Sequence, residues 1–202
     1  MEREIDIHSV DRNPIKQFQK WFDDAVRSGV PQPEAMALAT STPGGIPSSR
    51  IVLLKLVDER GFVFYTNYES RKGQELNINP YVAAVFHWKG PERQIRLEGS
   101  AERISAAESD EYFRSRPRES QISAVVSPQS RVIASRKELE DRAGELSRKY
   151  EGKQIPRPAV WGGIRIVPAR IEFWQSREAR LHDRIVYSKL RDGSWKKERL
   201  AP

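Results

Sequence analysis

A chain of 202 residues, 38% of them hydrophobic, is long enough for one domain with a full core, and no shift in composition asks for two. The absence of cysteine excludes disulfides and thiolate-held zinc or iron–sulfur centres, so redox chemistry would need a bound organic cofactor, and a reducing cytoplasm is the expected compartment. The net charge of +7 and pI near 9.7 suit anionic partners, but 28 acidic side chains are mixed among 35 basic ones, so small anions explain the excess as well as nucleic acid does.

The opening Met1-Glu2-Arg3-Glu4-Ile5-Asp6-Ile7 is charged and leads into no apolar run, so neither a secretory signal nor a membrane span is expected. Asn13-Pro14 reads as a helix cap and first turn, with Ile15, Phe18, Trp21, Phe22, Ala25 and Val26 following at helical spacing until Gly29 and Pro31. Strand patterns run over 35–40 and 48–57, joined through Pro43-Gly44-Gly45. In the stretch 50–57 apolar residues occupy both alternating sets, which predicts a strand covered on both faces, as in a barrel wall that also meets a partner. Arg50 and Lys55 have opposite parity there and are expected on opposite faces, each needing an anion. Asp58 to Gly61 then turns the chain into Phe62-Val63-Phe64-Tyr65.

Ser70 caps a short helix over 71–76, and cations in its first turn oppose the helix dipole, so beside the other cations Arg71 and Lys72 suit a phosphate better than water, whereas taken alone they read as an ordinary solvated first turn. Pro80 precedes a strand over 81–88, and a further hairpin pair is predicted over 93–104. Ser105 caps a helix running to about Arg114 that Pro117 breaks. Tyr112, Arg116 and Ser120 recur at a spacing of four, and with Lys55 they could clamp a phosphate monoester. A charged amphipathic helix is predicted over 133–150, and strands over 161–167, 170–175, 185–190 and 194–200. Antiparallel strands outnumber helices throughout.

The segment Arg180-Leu181-His182-Asp183-Arg184 crowds two guanidiniums and an imidazole together. If it is extended, residues 180, 182 and 184 share a face and could meet one anionic, redox-active ligand. The histidines at 8, 87 and 182 have no metal-ligand spacing, and no glycine-rich dinucleotide loop, phosphate-binding loop or serine-hydrolase elbow is present.

These scattered residues carry a resemblance. From about Glu34 to Pro202 the chain resembles the pyridoxine (pyridoxamine) 5'-phosphate oxidase family through Arg50-Ile51-Val52-Leu53-Leu54-Lys55, Phe64-Tyr65-Thr66-Asn67, Ser70-Arg71-Lys72, Glu92-Arg93-Gln94, the run 112–121, Gln129-Ser130, Trp161-Gly162-Gly163, Ile171-Glu172-Phe173-Trp174-Gln175 and Arg199-Leu200-Ala201-Pro202. The resemblance implies a mainly β fold with flanking α-helices, an FMN-binding split β-barrel of antiparallel strands of Greek-key type. It would form one domain over 1–202, a helical segment over 1–33 preceding the barrel and its helices over 34–202. It implies a homodimer with FMN in each of two clefts between subunits.

By the same likeness the run Arg50, Ile51, Val52, Leu53, Leu54, Lys55 would touch the cofactor, while Arg50, Arg71, Lys72, Gln129 and Ser130 would hold its phosphate and ribityl chain. Tyr65, Thr66, Gln94, Trp174 and Arg184 would surround the isoalloxazine. Lys55, Tyr112, Arg116 and Ser120 would grip the substrate phosphate. Arg180, Leu181 and His182 would meet the pyridine end, with Arg180 and His182 as catalytic residues.

The implied reaction oxidises pyridoxine or pyridoxamine 5'-phosphate with oxygen to pyridoxal 5'-phosphate and hydrogen peroxide, by hydride transfer from C4' to flavin N5. It would run in the cytoplasm without nucleic acid or membrane. The alternatives are a related flavin oxidase of the phenazine-biosynthesis type, which shares the FMN cleft, or a non-catalytic flavin or nucleic-acid binding module.

Overall fold

Helix α1, Pro14–Arg27, begins where its sequence says: the Asn13 side chain accepts the Ile15 backbone N–H at 2.8 Å, and Pro14 occupies the first helical position, where no N–H is needed. The structure, a computed structural model, describes residues 5–202. Of the opening segment, residues 1–4 lie outside the described residues. The buried face of α1 presents Ile15, Phe18, Trp21 and Ala25 to a sheet. Phe18 meets Phe62 edge to face at 4.8 Å and Trp21 meets Phe173 at 5.2 Å, so the helix plugs the core with its largest side chains.

The strands are β1 Ala35–Ser41, β2 Pro47–Leu53, β3 Leu56–Asp58, β4 Gly61–Asn67, β5 Tyr81–Trp88, β6 Arg93–Arg103, β7 Trp161–Gln175, β8 Asp183–Lys189 and β9 Trp195–Arg199. Every pairing is antiparallel, in the path β2-β1-β5-β6-β7-β4-β3, with β8 and β9 added beside β7. The two ends of that path, β2 and β3, are joined by Leu54 and Lys55 alone. A sheet whose outer strands are that close in sequence must curl on itself, and the described strands form a half-barrel.

Helix α2, Arg71–Ile78, follows β4, and α3 Ala106–Ser115, α4 Arg118–Val126 and α5 Arg136–Lys149 fill the long connection between β6 and β7. The capping box of Ser105 and Glu108 starts α3. The connection covers a smaller core of Phe113, Ile122, Ile155 and Trp161, with Tyr65, Tyr112 and Leu146 packed against it.

The structure corrects four sequence expectations. The predicted strand 48–57 is two strands. Its break at Leu54-Lys55 switches partners, the Leu54 N–H bonding to Glu34 O at 2.9 Å and the Lys55 N–H to Val63 O at 2.8 Å. The predicted hairpin pair over 93–104 is the single strand β6, with a register shift at Glu98/Gly99 where the Val167 carbonyl presses so close that only glycine fits.

The two strands predicted over 161–167 and 170–175 are the one strand β7, continuous through Pro168. Before Pro168 its free edge pairs with β4, and after it with β8. A residue with no N–H is tolerated where one partner gives way to the next. Finally, Glu178–Arg180 is a 3-10 turn and β8 starts only at Asp183, so residues 180, 182 and 184 do not lie along one extended strand.

Candidate active site

A cavity of about 510 Å³ opens between β2, β4, α2 and the α3–α4 corner, lined among others by Arg50, Lys55, Lys72, Arg116, Tyr65 and Tyr112. Ile51, Val52, Leu53, Thr66, Asn67, Gln129 and Trp161 complete its main walls. Arg50 and Lys55 therefore face one space, against the parity expectation, because the strand break between them resets the alternation.

The cations are positioned rather than loose. The buried ammonium of Lys72 donates to Thr66 Oγ1 at 2.8 Å, Ser70 Oγ at 3.2 Å and Gln129 Oε1 at 3.0 Å. Burial, with Arg50 adding a smaller push, brings its pKa down to about 8. Arg50 donates to Thr40 Oγ1 at 2.5 Å and, at 3.4 Å, to Glu75.

Glu75 is the hidden organiser of this wall. It is only 6% exposed, and it accepts from Thr40 and Ser48 and takes Arg71 Nε at 3.0 Å. Burial alone would raise its carboxyl, but those hydrogen bonds outweigh it and bring the pKa down to about 2.

On the opposite wall Tyr65 and Tyr112 stack at 3.7 Å with planes 12° apart, and burial pushes the Tyr65 hydroxyl up to about 12. Both phenols thus stay protonated donors at neutral pH. The Arg116 guanidinium lies 4.6 Å over the Trp161 ring, and burial lowers its pKa. Its NH1 is buried with no hydrogen-bond partner. An orphaned guanidinium nitrogen beside a cationic cavity fits an anion, and phosphate oxygens match its geometry.

The remaining predicted residues divide. Arg71 is mostly exposed and turned to Glu75, and Ser130 and Ser120 lie outside the cavity lining, as does the buried Leu54. Gln94, Trp174 and Arg184 form a second group: they are direct cross-strand partners on β6, β7 and β8, so their side chains share one face. Arg184 is held by Glu172 Oε1 at 2.8 Å and the Ala201 carbonyl at 3.0 Å. His182 leans on Trp174 with ring centres 4.6 Å apart, and Arg180 and Leu181 are exposed beside it.

Trp161 lines the cavity and Trp174 stands 13 residues further along the same strand, up to about 40 Å away at ~3.3 Å per residue. None of Gln94, Trp174 and Arg184 is among the residues that line the cavity. Sequence reasoning missed Glu75, whose signal was its i,i+4 spacing from Arg71, and gave no role to Asn67, Ser123, Ala124, Ser127 or Trp161. Among the described residues no cluster could hold a metal ion.

Residues 22–150 match the family described as Pyridoxamine 5'-phosphate oxidase. A curated relative from Trichormus variabilis, named pyridoxine/pyridoxamine 5'-phosphate oxidase, is 56% identical over 193 residues, covering 96% of this chain and 90% of the relative. The chain belongs to the pyridoxamine 5'-phosphate oxidase family. It is thereby an oxidoreductase of the flavin-binding, vitamin B6 class.

Residues 161–202, which include Trp174, His182 and Arg184, match that family's C-terminal dimerisation region, in keeping with a homodimer. The crystal structure of PhzG from Burkholderia lata, in complex with tetrahydrophenazine-1-carboxylic acid, is similar with TM-score 0.92 at 32% identity over 96% of this chain and 95% of that one. A pyridoxamine 5'-phosphate oxidase-related, FMN binding protein from Nostoc punctiforme shares the fold at TM-score 0.74 and 15% identity, covering 92% and 97% of the two chains. Among the described residues no helix is long and apolar enough to cross a membrane.

Proposed function

We propose that the protein oxidises pyridoxine 5'-phosphate and pyridoxamine 5'-phosphate to pyridoxal 5'-phosphate, in the cytoplasm, as an FMN-dependent homodimer. The observation that carries this reading is the cavity lined by four cations, with Arg50 close enough to Lys72 to lower its pKa and with Lys55 and Arg116 lining the same space. Two phosphate groups, one from FMN and one from substrate, need two cationic grips.

Bound FMN would supply the redox chemistry, taking a hydride from substrate C4' at N5 and delivering the electrons to oxygen as hydrogen peroxide, with ammonia released from the amine substrate. The protein's part is to bind and orient. Arg50 and Arg71, braced by Glu75, and Lys72, held by Thr66, Ser70 and Gln129, would hold the FMN phosphate, with Ser130 beside it. Tyr65 and Thr66 line the ring region. Lys55, Tyr112, Arg116 and Ser120 grip the substrate phosphate.

Gln94, Trp174 and Arg184 would come from the second subunit: none of the three lines the cavity, and the last two lie in the segment that matches the dimerisation region. Arg184, fixed by Glu172, would set a cation beside the ring, where negative charge appears on reduction. Arg180, Leu181 and His182 cover the pyridine end, Arg180 and His182 orienting the reacting carbon.

Subunit complementation tests the whole arrangement. Lys72→Met and Arg184→Ala should each abolish turnover alone, and their co-expressed mixture should recover about a quarter of parental activity, because a mixed dimer rebuilds one intact site. No recovery would refute the shared site.

The similarity to PhzG favours one alternative, an unphosphorylated tricyclic substrate. Lys55, Tyr112 and the orphaned Arg116 argue against it, and turnover of pyridoxine 5'-phosphate but not pyridoxine would exclude it. A colourless protein that takes up no FMN and binds nucleic acid at physiological salt would overturn the oxidase reading altogether.

A further inference from the structure

Ala179 and Arg180 both sit in the left-handed backbone region, at φ 53° and 61°. Neither is glycine, and each such residue costs about 1–2 kcal/mol. Consecutive strained residues persist only where the surroundings over-determine them.

The surroundings here are a clamp. Arg177 Nε donates to Asp183 Oδ2 at 2.7 Å across the base of the loop, and the Arg177 backbone N–H donates to His182 Nδ1 at 3.0 Å. The other Asp183 oxygen accepts from Arg199 NH1 at 2.8 Å, and Arg199 in turn reaches the Ile5 carbonyl at 3.0 Å. Asp183 is 5% exposed. Burial works against its ionisation, but the hydrogen bonds from Arg177 and Arg199 outweigh it and keep the carboxyl below its ordinary range. With both oxygens taken by guanidiniums, this carboxylate acts on its neighbours and not on a ligand.

We propose that Asp183 is a positioning residue that clamps the strained turn between Arg177 and Asp183, tying it to β9 so that Arg180 and His182 meet substrate in a fixed geometry. The inference rests on the oxidase reading of those two residues. Asp183→Asn keeps the shape but turns one acceptor into a donor that faces a guanidinium, and so opens the clamp.

In the Asp183→Asn holoenzyme, FMN binding should stay within about twofold of the parent while kcat falls about tenfold to a hundredfold, the scale expected for misplaced reacting groups. The double variant Asp183→Asn/Arg180→Ala should lose less than the product of the two single losses, because part of what Asp183 positions is Arg180 itself and the remainder is His182. Hydrogen exchange in the FMN-free protein supplies a readout independent of turnover: amides 179–182 should exchange faster in Asp183→Asn while those of β6 and β7 stay as in the parent.

Arg177→Gln, which leaves the Asp183–Arg199 pair intact, should repeat the pattern if the first variant fails to fold. Unchanged kcat and exchange, or losses that add to those of Arg180→Ala, would overturn the clamp. A parent protein that binds FMN yet turns over no phosphorylated vitamer would instead overturn the function, and the clamp with it.

Discussion

The ammonium of Lys72 donates to the side-chain carbonyl of Gln129 at 3.0 Å, joining the first turn of α2 to the segment that follows α4. That segment thereby contributes a neutral acceptor to the ammonium at the cavity wall. On the proposed reading, FMN sets its phosphate beside this ammonium.

The pH dependence of FMN binding follows from the charge of that ammonium. With a pKa lowered to about 8, Lys72 is charged at neutral pH and loses its proton as the pH climbs past that value. Affinity should therefore hold below pH 8 and weaken above it, by up to about tenfold per pH unit. Quenching of flavin fluorescence measures this, and Lys72→Met should flatten the curve.

Glu75 gives the opposite sign. Its folded pKa of about 2 lies under the ordinary 4.5, so the stability it contributes is present above 4.5 and is lost as the pH falls towards 2. The shift corresponds to roughly 3 kcal/mol. Thermal melts should find the parent more stable than Glu75→Gln at pH 7, with the gap closing between about pH 4.5 and 2.

Lys55→Ala should raise KM for the phosphorylated substrate about tenfold with little change in kcat, because it deletes a contact made before and throughout the reaction. Steady-state assay with pyridoxine 5'-phosphate reads this split. A fall in kcat alone would show that Lys55 acts elsewhere.

His182 receives the Arg177 N–H on Nδ1, so in the neutral ring the proton must reside on Nε2. His182→Gln, whose amide can reach as far as Nε2, should retain more turnover than His182→Asn. Equal losses would show that the proton at that atom is irrelevant.

Trp21→Ala removes the plug that meets Phe173 and lies under the Arg93 guanidinium at 4.5 Å. It should cost about 3–5 kcal/mol in chemical denaturation. FMN affinity below the melting temperature should stay nearly the same.

Local chemistry is what the sequence displayed well. Asn13-Pro14, Ser70 and Ser105 start helices where their caps predict, and the hairpins around Gly44 and Gly61 lie where the turn residues stand. Helix α5 begins at Arg136, after the Ser135 cap, and not at Ile133, since apolar periodicity does not mark a first turn as a capping side chain does.

Long-range geometry was less visible. Alternation along 50–57 cannot reveal that Leu54 bonds back to Glu34 while Lys55 bonds forward to Val63, and that switch is what gathers Arg50 and Lys55. Nor could residue types around 180 disclose a turn with two left-handed residues, because neither alanine nor arginine signals one. The cavity cations were legible through the family likeness, whereas Glu75 and Asp183, which hold them and the loop, were not.

Strand β6 ends at Arg103 and its partner β7 begins only at Trp161. During synthesis the first six strands must therefore wait, with the backbone edge of the long strand β6 unpaired, until nearly the whole chain has emerged, while α3 to α5 can form locally in between. Closing so wide a loop is slow, and the exposed β6 edge invites clumping in that interval. Cooler, slower expression should accordingly raise the yield of folded protein more than any change that strengthens the helices.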